Sequence, residues 1–123
     1  MPKAYDPNNI FARILRGEIP NKTLLETPHT LAFHDIHPAA PVHVLVIPKG
    51  AYVDFDDFAA NAPADEIVDF HRACAKVCAV TGIAPGDGYR AITNAGTHGM
   101  QEVPHYHLHI LGGRVLGRLV ERE

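Results

Sequence analysis

The sequence predicts an α+β fold in which about five strands form a mostly antiparallel sheet, with one main helix and one short N-terminal helix. Three observations support this prediction. The strand-like runs are separated by short connections, which suit antiparallel neighbours rather than helical crossovers. One segment, residues 63–81, has the spacing of a long amphipathic helix. The chain has 123 residues, of which 46% are hydrophobic and 20% charged, and this composition is typical of one globular domain.

Four of the five predicted strands are indicated by local runs of residues that favour strands. Residues 24–27 and 30–36 are predicted to form a hairpin, because a Pro-His pair between them marks a turn. Residues 42–47 are the most strand-like run, since they are mainly apolar on both faces and are followed by Pro48. Residues 89–93 follow a turn rich in proline and glycine and predict a fourth strand.

The helices are predicted from their end signals as well as from their spacing. Asn8 suits the N-cap of a short helix that ends at Gly17. Residues 54–58 are acidic and predict a turn or at most one turn of helix. The main helix over residues 63–81 ends at Gly82, a residue that readily takes the left-handed conformation found after helices.

Composition excludes several classes of function. The net charge is −3 with neutral histidines, which disfavours binding to a nucleic-acid backbone. No apolar run approaches the ~20 residues that cross a bilayer, and the N-terminal residues lack a signal-peptide pattern, so we expect a cytoplasmic protein without membrane contact. Cys74 and Cys78 are interpreted as small buried hydrophobic residues, because no second cysteine pair completes a zinc site.

The strongest functional signal is residues 105–113, which we predict to be a strand with histidines at alternate positions. Because successive side chains of a strand point to opposite faces, these histidines share one face, about 7 Å apart along the backbone. They are His105, His107 and His109. The other face carries Tyr106, Leu108 and Ile110. Histidine is the side chain that can act as base, acid, nucleophile or metal ligand near neutral pH.

Three interpretations of the histidine row remain open at this point. A zinc ion would need His43 as a further ligand, and no HExxH or paired-cysteine motif supports it. Alternatively, the middle imidazole attacks phosphorus, its neighbours donate to phosphate oxygens, and the glycine-bearing residues 94–101 supply N–H groups. A surface strand without chemistry explains neither the alternation nor the loop. We favour the second interpretation because it uses every feature and needs no metal.

The alternating histidines, followed by Ile110 and Leu111, resemble the motif of the histidine triad (HIT) family. Further segments resemble its histidine-triad nucleotide-binding branch. These are Ile10-Phe11, Glu18-Ile19-Pro20, residues 32–36, residues 40–48, residues 88–90, Asn94 and residues 111–114. The resemblance covers roughly residues 9–114.

The resemblance implies a single HIT domain over residues 1–123, with an N-terminal arm at 1–8 and a C-terminal tail at 115–123. It also implies a homodimer whose two sheets join into one continuous sheet. The implied activity is hydrolysis of nucleoside phosphoramidates and acyl-nucleotides at the α-phosphorus, through a covalent nucleotidyl-histidine intermediate that releases a purine nucleoside monophosphate. No cofactor and no metal are implied.

The resemblance also assigns roles by position. The catalytic residues would be His107 as the nucleophile, His109 beside the phosphate and the departing group, and His105 and His43 in the hydrogen-bonded network around them. Asp35 would bind the ribose hydroxyls, with Asn94 nearby. The base pocket would be lined by Ile10, Phe11, Ile14, Phe33, His34, Ile36 and Leu45. The backbone of Gln101, Glu102 and Val103 would approach the phosphate.

This chain departs from the family pattern at several positions. Met100 stands where close relatives often carry glycine, and Glu102 where the animal proteins carry serine. Pro104, directly before the triad, removes one N–H donor. The tail after Arg114 does not match the animal proteins, in which it shapes the site of the partner subunit.

Two alternative functions are kept beside the main prediction. The first is a dinucleoside polyphosphate hydrolase of the fragile-histidine-triad branch. That branch carries glutamine at the position of Asn94 and lacks the Gly-Gly-Arg ending of residues 112–114. The second is a nucleotide-binding or scaffold module with only residual activity.

Overall fold

The computed structural model describes residues 3–121, so the outermost residues of the predicted arm and tail lie outside the described part. Five strands form one sheet in the order β1-β2-β3-β5-β4, and every neighbouring pair is antiparallel. This architecture confirms the predicted fold class. The elements are α1 Ile10–Leu15, β1 Thr23–Glu26, β2 Thr30–His34, β3 Val42–Pro48, α2 Phe55–Asn61, α3 Ala64–Val80, β4 Tyr89–Ile92 and β5 Leu108–Gly112.

The central strand β3 separates two apolar clusters on opposite faces of the sheet. On the face toward α3, Val44 and Val46 are fully buried and pack with Phe70 and Val77 of the helix. On the other face, α1 packs over a smaller cluster. Its buried members are Phe11, Ile14, Leu31, Phe33, Leu45 and Ile47. This second face is the one that carries the histidines, as described below.

The main helix agrees with the prediction to within one residue at each end. Its N-cap is Pro63, and its C-cap Thr81 precedes Gly82, which has a φ of +79°. Cys74 and Cys78 are free thiols that pack in or against the α3-side cluster, as apolar residues do. None of the helices within residues 3–121 has the length and apolar character that a membrane crossing requires.

Two helix predictions need correction. The N-cap of α1 is Asn9 and not Asn8, because Oδ1 of Asn9 accepts the backbone N–H of Ala12 at 2.9 Å. The acidic segment after residue 53 forms a helix of seven residues, α2, rather than a turn. Its stability has a local cause: the side chain of Asp54 caps it by accepting the N–H of Asp57, which satisfies a free donor of the first turn.

The predicted strand over residues 105–113 is also shorter than expected, because β5 begins only at Leu108. In the antiparallel register Val46 lies opposite Leu108, so the next pairing position would bring Pro48 opposite Tyr106. Proline has no N–H to give to a ladder. The N–H of Tyr106 donates instead to the carbonyl of Tyr52 at 2.7 Å. His105 and His107 therefore precede the strand, although the alternation of faces continues, with Tyr106 in the α3-side cluster.

Candidate active site

The four predicted histidines converge on the sheet face opposite α3. His109 of β5 lies opposite Leu45 of β3, and His43 is two residues away on the same face of β3. This register brings Nε2 of His43 to 3.0 Å from Nδ1 of His109. The rings of His107 and His109 are neighbours as well, with centroids 5.1 Å apart. His43, His105 and His107 are buried, and His109 is partly buried.

The direction of the hydrogen bond between His43 and His109 follows from a backbone group. The N–H of Ala39 lies 3.0 Å from Nδ1 of His43 and can only donate, so this nitrogen is an acceptor. The neutral ring of His43 then carries its proton on Nε2 and donates it to Nδ1 of His109. His109 in turn carries its own proton on Nε2. The site thus holds an N–H on His109 that is free to meet a phosphate oxygen.

The orientation of His107 is fixed by the chain just before it. Its Nδ1 lies 2.7 Å from the carbonyl oxygen of His105. A carbonyl oxygen can only accept, so Nδ1 carries the proton and Nε2 keeps its lone pair. The hydroxyl of Thr93 donates to the carbonyl of His107 at 2.7 Å, and the ring of Phe11 meets that of His107 edge-on at 4.9 Å. The ring of His107 is thus held by one hydrogen bond and by Phe11, its backbone is held by Thr93, and Nε2 is unprotonated.

Burial keeps the histidines of the site neutral at physiological pH. It lowers the pKa of His107, against a weaker opposing effect of the His105 carbonyl and of nearby carboxylates. It lowers the pKa of His105 and of His109 to about 4, and the neighbouring imidazoles add to the effect on His109. The pKa of His43 is lowered by burial too, although Asp35 opposes this. Neutral imidazole is the form in which a ring nitrogen is nucleophilic.

Asp35 lies just beyond the end of β2, at the edge of the histidine cluster. Its Oδ2 is 3.4 Å from Nε2 of His43, and its Oδ1 accepts the N–H of His37 at 2.8 Å. Asp35, His43 and His109 bring one ligand atom each within 4.8 Å of the others. The set does not suit a metal ion, because the hydrogen bond from Ala39 leaves the proton of His43 on the nitrogen that would have to coordinate.

The predicted base-pocket residues fall into two groups. Phe11, Ile14, Phe33 and Leu45 are buried in the cluster between α1 and the sheet, and Val103 packs against them. These residues form a floor rather than an open wall. The remaining three are exposed, namely Ile10, His34 and Ile36. The structure therefore brings the four buried residues together on the face of the sheet that carries the histidines. His34 is a departure from the prediction: it lies opposite Val44 of β3, which belongs to the α3-side cluster, so its side chain is on the other face of the sheet.

The loop before the triad is held by the side chain of Gln101. Its Nε2 donates to the carbonyls of Val53 at 2.7 Å and Val103 at 3.0 Å, while its Oε1 accepts the N–H of Gly96. The side chain of Gln101 is therefore used in bracing the loop. Glu102 is exposed, and Met100 adopts a left-handed conformation with a φ of +58°.

A cavity of about 370 Å³ opens beside His109. Asn94 borders it, as do the side chains of Arg90 and Arg114 and apolar residues of β4, β5 and the tail. Sequence reasoning did not single out the two arginines of this wall. It also missed Thr93, which supports the backbone of His107, and Tyr5, whose hydroxyl reaches His105.

The fold and this cluster define a small α+β protein with a site built from neutral imidazoles. The chain belongs to the HIT family: the family described as HIT domain matches residues 16–116. This confirms the resemblance drawn from the histidine motif. The match includes the three histidines, β3 with His43, and the main helix.

Curated relatives match the chain over almost its full length. An uncharacterised HIT-like protein of Azospirillum brasilense is 57% identical over 122 residues, which is 99% of each chain. A purine nucleoside phosphoramidase of Escherichia coli is 40% identical over 111 residues, covering 90% of this chain and 92% of that protein. The relatives of this chain therefore include a protein that is named as an enzyme.

Solved structures show the same architecture. A HIT family hydrolase from Clostridium thermocellum superposes with a TM-score of 0.83 at 39% identity, covering 93% of this chain and 97% of that one. A histidine triad protein from Clostridium difficile has a TM-score of 0.76 at 36% identity, covering 98% of this chain and 100% of that one. These similarities place the chain with the hydrolases of the HIT family.

Proposed function

We propose that this protein hydrolyses purine nucleoside phosphoramidates, and acyl-nucleotides, at the α-phosphorus, with His107 as the nucleophile. The observation that carries the proposal is the hydrogen bond from Nδ1 of His107 to the carbonyl of His105 at 2.7 Å. It leaves the lone pair on Nε2, and burial lowers the pKa of the ring. A neutral, oriented imidazole is the requirement for attack on phosphorus.

The reaction proceeds in two displacements. In the first, the lone pair on Nε2 of His107 forms a bond to phosphorus, the P–N bond breaks, and the departing amine takes a proton from water. In the second, the hydroxide formed attacks phosphorus, the bond to Nε2 breaks, and the nucleoside monophosphate leaves. The Nε2–H of His109 donates to a phosphate oxygen during both steps and stabilises the charge that develops there.

The proposed substrate is held by the groups around these histidines. The carboxylate of Asp35 accepts hydrogen bonds from the ribose hydroxyls, with Asn94 nearby. The purine lies beside the exposed residues Ile10 and Ile36, above the apolar floor. The amine enters the cavity that Arg90 and Arg114 border, beside His109. An apolar slot with a few convergent polar groups is the usual form of such a site.

We also propose that two copies associate through β4 into one continuous sheet. β4 is an edge strand of the five-stranded sheet, and an unpaired edge is a template for another strand. Tyr89 at the start of β4 places an exposed apolar side chain on this edge strand. Two-fold pairing would cover the edge of each subunit with the same edge of the other.

The proposal is tested with adenosine 5′-phosphoramidate and, in parallel, a diadenosine polyphosphate. We expect turnover of the phosphoramidate and a much lower kcat/KM for the dinucleotide. Acid quenching during turnover should trap an adenylyl group on His107, located by peptide mass spectrometry. His107→Ala should abolish turnover while AMP still binds. His71→Ala is the matched control, because His71 is exposed on α3 and its ring hydrogen-bonds the carbonyl of Ile67 in the same helix.

Three outcomes would contradict the proposal. Preferred turnover of the dinucleotide would support a dinucleoside polyphosphate hydrolase. Binding of AMP without turnover of either compound would support a nucleotide-binding module. An adenylyl group trapped on a residue other than His107 would remove that histidine from the nucleophilic role.

A further inference from the structure

The N-terminal arm brings a tyrosine into contact with the first histidine of the triad. The hydroxyl of Tyr5 lies 2.6 Å from Nδ1 of His105, and the two rings meet edge-on with centroids 5.6 Å apart. The contact joins residues 100 positions apart in the chain. His105 is completely buried, so its ring nitrogens have no access to bulk solvent.

The proton positions in this contact follow from the other side of the ring. Nε2 of His105 lies 2.8 Å from the carbonyl oxygen of Pro48, which can only accept. Nε2 therefore carries the proton of the neutral ring, and Nδ1 must accept. The hydroxyl of Tyr5 is the group that donates to it. Burial raises the pKa of this phenol, so it stays protonated over the physiological range.

The arm is anchored on both sides of Tyr5. Nζ of Lys3 forms ion pairs with Asp54 and Asp56 at the start of α2, at 2.5 and 3.0 Å. On the other side, Asn9 caps α1 and its Nδ2 donates to the carbonyl of Asp6 at 2.8 Å. Because the chain is tied to one helix before Tyr5 and to another after it, the hydroxyl is held in place at His105.

We propose that Tyr5 is a positioning residue: its hydroxyl, together with the carbonyl of Pro48 on the other side of the ring, fixes the Nε2–H tautomer and the ring orientation of His105, and thereby the carbonyl that orients His107. The link between the two histidines is the hydrogen bond from Nδ1 of His107 to the carbonyl of His105 at 2.7 Å. This inference rests on the proposed role of His107 as nucleophile. Productive attack requires the reacting nitrogen to be held within a fraction of an ångström.

Kinetics of Tyr5→Phe test the proposal. The substitution keeps the aromatic contact and removes only the donor to Nδ1 of His105. We expect kcat for adenosine phosphoramidate to fall about tenfold, which corresponds to the loss of one hydrogen bond at a buried group, while KM stays within about twofold of that of the wild type.

The matched control is Tyr52→Phe. The hydroxyl of Tyr52 donates to Glu66 at 2.8 Å, so this variant also loses one tyrosine hydrogen bond, but outside the histidine cluster. We expect its kcat to equal that of the wild type. Equal losses of kcat in both variants would show a general effect of stability and would overturn the inference. An unchanged kcat in Tyr5→Phe, or a change in KM alone, would overturn it as well.

A second readout does not depend on catalysis. In nitrogen-15 NMR spectra of the imidazole rings, His105 of the wild type should show the Nε2–H tautomer and titrate near pH 4. In Tyr5→Phe the free Nδ1 accepts a proton more easily, so the titration should move upward by roughly half to one pH unit. If the titration of His105 is the same in both proteins, the inference about Tyr5 is wrong, whether or not the wild type is active. If the wild type has no phosphoramidase activity but the titration of His105 moves, only the proposed function is wrong.

Discussion

Nε2 of His43 lies 3.0 Å from Nδ1 of His109, and the N–H of Ala39 on the far side of His43 sets the direction of this hydrogen bond. The contact links β3, at the centre of the sheet, to β5, which carries His109. It explains how His109 presents an N–H, rather than a lone pair, to a bound phosphate. His43 therefore acts on the proposed reaction through His109.

Replacing His43 tests this dependence. In His43→Ala the partly buried Nδ1 of His109 loses its donor, so the tautomer of His109 is no longer fixed. Leaving one buried polar group unpaired costs about 1–3 kcal/mol, and we expect kcat to fall roughly ten- to a hundredfold. Steady-state kinetics with adenosine phosphoramidate measure this, with His71→Ala as the surface control. A change confined to KM would show that His43 serves binding instead.

The pH dependence of kcat/KM follows from the pKa of His107. The attacking group must be neutral, because imidazolium has no lone pair to offer. Burial lowers the pKa of His107 below its ordinary value of 6.5, so the neutral form persists as the pH falls through 6.5. We therefore expect an acid limb with its midpoint below pH 6.5. A midpoint at or above pH 6.5, measured in buffers of constant ionic strength, would contradict the assignment.

The sequence predicted those elements whose pattern is local. The main helix was placed within one residue because its apolar spacing and Gly82 are both visible in the chain. The late start of β5 at Leu108 is not visible in the local sequence, since it is caused by Pro48 on the neighbouring strand. Nor could the sequence show that Tyr5 reaches His105, because the arm has no periodic pattern and the contact spans most of the chain.

The role of Asp35 can be tested by comparing two ligands. Asp35 accepts the ribose hydroxyls in the proposed complex, so AMP should bind more tightly than 2′-deoxy-AMP. In Asp35→Asn the preference should fall about tenfold, since hydrogen bonds to a charged acceptor contribute roughly 1.5–3 kcal/mol. The ratio of the two dissociation constants is measured by calorimetry. Taking this ratio cancels any effect that the substitution has on both ligands equally, for example through His43, which lies 3.4 Å from Asp35. An unchanged ratio would exclude Asp35 from ribose recognition.

If two copies associate through β4, a charge introduced on that strand should weaken the dimer, whereas a charge on another exposed element should not. We expect the wild type to sediment as a dimer. In Tyr89→Asp each subunit brings a carboxylate into the proposed interface, and the charge that must then be desolvated should shift the protein toward the monomer. Phe55→Asp is the control, because Phe55 is a similarly exposed apolar residue on α2. A monomeric wild type, or equal dissociation of both variants, would exclude association along this edge.

Met100 should limit the stability of the loop before the triad. Its φ of +58° is a conformation that costs a residue with a Cβ about 1–2 kcal/mol, and its exposed side chain returns little packing. Met100→Gly should therefore raise the free energy of unfolding by about 0.5–1 kcal/mol, after the entropy that glycine adds to the unfolded chain is subtracted. Urea denaturation at pH 7 measures the change. His98→Gly is the control, because His98 is exposed in the same loop without a positive φ, and it should gain nothing. A loss of stability in Met100→Gly equal to that in His98→Gly would show that the left-handed conformation carries no strain.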